Sequence, residues 1–300
     1  MLSLMSGEPF SAELSGLDLI HPDPSLAADL RALLSQYRVL VFRDVSLTPR
    51  DQVNFLSLFG RVAIEMVGDA AKHDPAKLFG RVSFVTTKPH EYISTTSHII
   101  FHSDFAFYSD GAARAISLHA IEVGAEDPTI FADMGMAARR MPPALLDKLR
   151  ALKVVKCSNH MVDNVWPCRM SNRVPGAFYG NTASIHPCVI RHPSTGEETI
   201  NICQEFSSHI LGWSDAESTE LFQEVARWQY DEENLFRHRW RKGDLIVWDN
   251  VATQHARETL TPGVTRHLQR VLIHPWDAEE LEQRTGAVVN QTQSLLMPAN

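Results

Sequence analysis

His102 and Asp104 stand two residues apart, and their types suggest chemistry before anything else in the chain does. On a β-strand, residues i and i+2 face the same side. An imidazole and a carboxylate at this spacing can therefore aim at one point while Ser103 turns away. That is two-thirds of the 2-His-1-carboxylate face that binds non-haem Fe(II) and leaves coordination positions open. A hydrogen-bonded His beside a surface Asp gives the same tripeptide, so the metal reading needs a third ligand from elsewhere in the chain.

A second pattern lies far downstream. Arg266, Leu268, Arg270 and Leu272 alternate with His267, Gln269, Val271 and Ile273, which is the period of a strand. Arg266 and Arg270 would share a face, about 13 Å apart at ~3.3 Å per residue. Arginine is the preferred fork for a carboxylate or sulfonate. The alternative is that one or both reach solvent or pair with Asp or Glu. His98, His119, His160, His186 and His192 show no second converging spacing and read as structural or loop residues. His98, Tyr92, Phe105 and Tyr108 flank the His102 stretch; they are candidates for a substrate pocket, with packing or lid stabilisation as the plainer role. Trp248 reads as core.

These residues need elements to hold them. Asp23-Pro24 and Thr48-Pro49 each place a capping residue before a proline, the signature of a helix start. Leu26, Leu30, Leu33, Leu34 and Tyr37 stripe the first helix. Val53, Phe55, Leu56 and Phe59 lie on the second, with Gly60 as its stop. Val39–Phe42 reads as a buried strand, residues 115–123 and Thr129–Met134 as further strands, and Val189–Pro193 with Thr199–Cys203 as a hairpin. Pro142-Pro143 and the capping box Ser214-Asp215-Ala216-Glu217 open two more helices. Leu245–Trp248 is a β-run, and a strand covers about Arg266 to His274. The stretches 84–100 and Asn159–Asn181 read as loops. Helices in front and many short strands from residue 95 onward suggest a mixed α+β chain, with one β-sandwich or barrel core and helices packed outside.

The 300 residues suffice for one large core. A net charge of −8 and a pI near 5.9 argue against a nucleic-acid footprint, while leaving room for a small anion bound by local arginines. The four cysteines (Cys157, Cys168, Cys188, Cys203) form no C-x-x-C pair and read as reduced thiols of a cytoplasmic protein. No basic n-region, long apolar run or membrane span is apparent. The expected partner is a small molecule, with no nucleic acid or membrane, and a homo-oligomer is compatible with the sequence.

His102-Ser103-Asp104, then Trp248-Asp249-Asn250 with His255, then Arg266 and Arg270, together resemble the taurine dioxygenase-like family of Fe(II)/2-oxoglutarate-dependent dioxygenases. His255 lies 153 residues after His102, and Arg266 eleven after His255, as in the family pattern. Ser15–Leu19, Val39–Arg43 through Phe59-Gly60, Thr129–Met134 and His192–Gly196 are similar to other family blocks, so the resemblance covers nearly the whole chain. It implies a double-stranded β-helix (jelly-roll) core in a single dioxygenase domain over 1–276, followed by a tail at 277–300. It implies His102, Asp104 and His255 as catalytic iron ligands, with Arg266 and the Thr129 hydroxyl on the distal carboxylate of 2-oxoglutarate. Arg270 would meet the anionic end of the substrate or support the cosubstrate. One departure is Gly124-Ala125-Glu126-Asp127-Pro128-Thr129, where the family has Gly-Gly-x-Thr. The implied activity is an O2-dependent oxidation of a C–H bond in a small anionic substrate, giving succinate and CO2. Asp104 argues against halogenation, because halogenating relatives lack that carboxylate. Desaturation or another oxidative rearrangement, such as isonitrile formation, uses the same centre. A non-catalytic metal- or anion-binding jelly-roll and a zinc hydrolase are the alternatives from other classes.

Overall fold

The structure, a computed structural model, describes residues 3–8, 10–65, 78–88, 93–94, 96–108, 112–157, 183–277 and 280. Tyr92, His160, Cys168, the Asn159–Asn181 stretch and nearly all of the 277–300 tail lie outside the described residues.

Strands β1 (Ser3–Glu8), β2 (Ser11–Ser15) and β3 (Val39–Phe42) precede β4 (Ser83–Thr86), β5 (Ile93–Ser94) and β6 (Ile99–His102). Then follow β7 (Ala115–Val123), β8 (Thr129–Asp133), β9 (Lys153–Cys157), β10 (Ala183–Pro187), β11 (Val189–Arg191) and β12 (Glu198–Ile200). The last five are β13 (Ser207–Ile210), β14 (Leu235–His238), β15 (Leu245–Asp249), β16 (Thr253–Arg257) and β17 (Arg266–Ile273). The helices are α1 (Ala27–Tyr37), α2 (Pro49–Leu56), α3 (Met134–Arg140), α4 (Pro143–Arg150) and α5 (Asp215–Gln229).

Two sheets matter for the site. The larger runs β1-β2-β3-β15-β7-β17-β4-β5, and the smaller runs β14-β8-β16-β6. Period-two alternation assigns their faces. In the larger sheet, Val39, Val41, Ile246, Trp248, Leu268 and Leu272 join Phe131 of β8 in one core, where the Phe131 and Trp248 rings meet at 5.5 Å. The intervening Leu40, Phe42, Leu245, Val247, Val271 and Ile273 point the other way, onto Leu30 and Leu34 of α1 and Phe55 and Leu56 of α2. Burying each such side chain is worth about 2 kcal/mol. Arg266 and Arg270 share the parity of Leu268 and Leu272, so the strand aims both between the sheets.

The capping signals act as the sequence suggests. Thr48 and Ser214 each close a capping box, and Asp23 caps the 3-10 turn that leads into α1. Several expectations need correction. Helix α2 ends at Leu56, short of Gly60. Gly60 is instead required by close packing: at φ +154°, a Cβ there would sit 2.8 Å from Ile273 Cγ2. The strand read as Thr129–Met134 stops at Asp133, whose side chain accepts from the Gly135 and Met136 amides and starts α3. The stretch 84–100 is not all loop, since β5 pairs in parallel with β4. Strands β9, β10, β13 and β14 were not foreseen; each is short, and β9 is held by long-range pairing. Cys157, Cys188 and Cys203 are buried. No helix among the described residues is long and apolar enough to cross a membrane.

Candidate active site

Register brings two histidines together. Strand β16 runs antiparallel to β6 with His255 directly opposite His102. Such cross-strand partners stand about 5 Å apart at Cβ, and the two rings lie 4.2 Å apart. Asp104 joins them by another route than expected. Strand β6 ends at His102, and Asp104 lies in the turn beyond it, so strand alternation does not aim this carboxylate. The turn is held by Asn250, which is fully buried: its Oδ1 accepts from the Asp104 amide at 3.1 Å. Its Nδ2 donates to the carbonyls of Asp104 at 3.0 Å and Ala113 at 3.1 Å. Ser103 is turned away and donates to the Thr253 carbonyl at 2.9 Å.

The donor atoms of His102, Asp104 and His255 all lie within 4.8 Å of one another. Asp104 Oδ1 is 3.5 Å from His102 Nε2, and Oδ2 is 3.9 Å from His255 Nε2. Cis donors on one shared ion, at about 2.1 Å each, stand about 3 Å apart. A contraction of at most about 2 Å at the widest pair therefore suits this set to a divalent ion. His102 Nδ1 faces the Ile100 carbonyl at 2.9 Å and Glu205 Oε2 at 3.1 Å, which leaves Nε2 for the metal side. His255 Nδ1 is buried without a hydrogen-bond partner among the described residues.

The charges fit the same use. Burial works against the Asp104 carboxylate, but Arg270 and then the two imidazoles hold it far below the usual range. Burial and the neighbouring His102 push His255 down to about 3, so it is neutral. Burial alone would also lower His102, but Glu205 and Asp104 outweigh it and raise it to about 9. A metal ion arriving here displaces one proton from His102.

A cavity of about 90 Å³ opens on this cluster. Val85, Ile99, Leu118, Trp248 and Ala256 form its apolar wall, and Thr129, Arg257, Arg266 and Arg270 add polar groups. Arg266 is buried, and no carboxylate among the described residues lies within ion-pair distance of it. Burial and the charge of Arg257 press its pKa down to about 9 against the opposing pull of Asp127. Its Nη2 donates to Thr129 Oγ1 at 3.1 Å, which also accepts from Trp240 Nε1 at 2.9 Å. With both lone pairs of the hydroxyl occupied, its own proton is directed outward as a donor. Arg270 is differently placed: Nη2 reaches Asp104 Oδ2 at 2.9 Å and Nη1 reaches Glu65 Oε1 at 2.8 Å.

Three pocket candidates lie elsewhere. His98 is exposed on the surface ahead of β6. Phe105 and Tyr108 are buried in the core, stacked on each other at 5.9 Å, because the turn after β6 folds them inward and away from the cavity. Trp248 is core as expected, and its ring also packs on His255 at 5.1 Å. His192 is structural: it pairs with Asp249 at 2.9 Å. His119 bonds the Val45 carbonyl and His186 bonds Ser184. Residues the sequence did not flag are Arg257, Glu205 and Glu65. Arg257 had a signal, since it stands two residues after His255 on one strand; the two glutamates had none.

This fold recurs in AAD-2, solved in complex with Mn(II) and N-oxalylglycine: the TM-score is 0.73 at 21% identity, covering 91% of this chain and 97% of that one. Pentalenolactone F synthase of Streptomyces avermitilis is 22% identical over 299 residues, covering 93% of this chain and 97% of its own length. The alpha-ketoglutarate-dependent 2,4-dichlorophenoxyacetate dioxygenase of Cupriavidus pinatubonensis is 27% identical over 278 residues, 87% of this chain and 93% of that protein. The class is that of the Fe(II)- and 2-oxoglutarate-dependent dioxygenases, enzymes that need Fe(II), 2-oxoglutarate and O2. The family model of the taurine catabolism dioxygenase TauD, TfdA family matches residues 4–272, and this chain belongs to that family.

Proposed function

We propose that His102, Asp104 and His255 hold the iron, that Arg266 and Thr129 receive the distal carboxylate of 2-oxoglutarate, and that the centre oxidises a C–H bond of a small organic substrate. The observation that carries this reading is the register of β6 and β16, which sets His255 opposite His102 with Asp104 beside both. Bound iron and 2-oxoglutarate supply O2 activation coupled to decarboxylation of the cosubstrate to succinate and CO2. The protein's own residues do the positioning. Arg270 fixes the Asp104 carboxylate, and the Thr129 proton and the Arg266 guanidinium converge on one anion site. Val85, Leu118 and Trp248 keep water from the cavity wall. The two facing sheets are read as a double-stranded β-helix, within a single domain over 1–276 and a tail at 277–300.

The test is His255→Ala, assayed by calorimetric titration with Mn(II) and by O2-dependent succinate release with Fe(II). Both are expected to be lost. Near-normal metal binding and turnover would remove His255 from the ligand set.

A further inference from the structure

Glu65 is 1% exposed and lies outside the metal face, yet it touches the cavity through Arg270. Its Oε1 lies 2.8 Å from Arg270 Nη1 as an ion pair, and its Oε2 accepts from Ser83 Oγ at 2.7 Å. The other arm of Arg270 lies 2.9 Å from Asp104 Oδ2. One guanidinium thus spans two carboxylates, and only one of them faces the metal. Burial raises the Glu65 carboxyl, while Arg270 and Ser83 pull it back.

The charge balance decides what this means, and it rests on the function proposed above. The distal carboxylate of 2-oxoglutarate is matched by Arg266. Around the iron, the dication, Arg270 and Arg257 are then balanced by Asp104, Glu65, Glu205 and the second carboxylate of the cosubstrate. The centre is neutral before any substrate arrives. An anionic substrate would add an unmatched charge beside an apolar wall of Val85, Ile99, Leu118 and Ala256, which costs free energy wherever that wall excludes water. Without Glu65 the same centre would carry one net positive charge and would suit an anion.

We infer that Glu65 converts Arg270 from an anion receptor into a clamp on Asp104, and that the substrate carries no negative charge on the end facing Arg270. Arg270 is a positioning residue in this arrangement, and Glu65 is the residue that sets the charge class of the substrate.

The experiment uses full-length protein loaded with Mn(II) and N-oxalylglycine, titrated with methanesulfonate and with its uncharged isostere methanesulfonamide. The native protein is expected to bind the sulfonate no more tightly than the sulfonamide. Glu65→Gln is expected to favour the sulfonate at least about tenfold, the order of one unmatched charge. A native protein that prefers the sulfonate tenfold overturns the inference, and so does a Glu65→Gln protein with an unchanged ratio. If Glu65→Gln does not fold, the native ratio decides alone: indifference to charge supports the inference and sulfonate preference overturns it. Failure of N-oxalylglycine to bind counts against the proposed function instead, and the inference is then read on protein with Mn(II) only, from the change in the sulfonate-to-sulfonamide ratio on Glu65→Gln: at least about tenfold supports it and no change overturns it.

Discussion

Arg266 is the residue whose state says most about what the cavity awaits. It is 4% exposed, its Nε has no hydrogen-bond partner among the described residues, and its pKa is pressed to about 9. A charge held this way weakens the cosubstrate-free protein, and an arriving carboxylate relieves it. Two outcomes for Arg266→Ala follow. Affinity for N-oxalylglycine should fall by about 3 kcal/mol, on the order of a hundredfold, because a desolvated charge-assisted fork is lost. The unfolding midpoint of the cosubstrate-free protein should stay level or rise. Calorimetry and thermal melts of the same preparation check both. A large loss of stability with little change in affinity would make Arg266 a structural residue.

At the scale of elements, the site is two turns locked together. Asp249 accepts from the Val251 and Ala252 amides, its carbonyl takes the Thr253 hydroxyl, and His192 pins its carboxylate. Asn250 then reaches across to the turn that carries Asp104. Asn250→Leu removes three hydrogen bonds and strands the Asp104 amide and two carbonyls in the interior. A loss of about 2–4 kcal/mol in urea unfolding of the metal-free protein is expected, together with at least about tenfold weaker Mn(II) binding, as for other groups that orient metal ligands. Unchanged metal affinity in a destabilised variant would show that Asn250 supports the fold and not the aim of Asp104. This locking also explains what could be read from the sequence. Trp248-Asp249-Asn250 and His255 are picked out by the family resemblance, whereas Arg266 with Arg270 can be read directly because strand parity is local. Asp104 could be picked out, but by a strand argument that the turn replaces. Glu65 and Glu205 left no trace because each reaches its partner only through tertiary folding, and α3 was hidden by an Asp cap that follows a strand without a break.

At the scale of the whole molecule, an interior rich in buried titratable groups makes stability depend on pH. His186 is the clearest probe away from the metal face. It lies on β10, bonded to the Ser184 hydroxyl, and burial followed by the charge of Lys156 lowers it to about 3. An unfolded histidine titrates near 6.5. Between those values the unfolded chain binds a proton that the folded chain refuses, so stability is lost as pH falls from about 6.5 toward 3. His186 alone contributes a slope of about 1.4 kcal/mol per pH unit in that window. His255, also held near 3, adds a second slope of the same sign in the metal-free protein. His102, raised to about 9, acts oppositely: its stabilisation is complete below about 6.5 and fades as pH rises to 9. The comparison that isolates one group is native protein against His186→Gln, both metal-free, unfolded in urea at several pH values from 4.5 to 6.5 on the scale of the ordinary histidine pKa. The variant curve should be shallower by about 1.4 kcal/mol per pH unit, whatever its offset at pH 6.5. Carboxylate titration cancels because both proteins share it. Parallel curves would mean that His186 protonates inside the fold as readily as outside it, and that the Lys156 side of β9 and β10 is open to water.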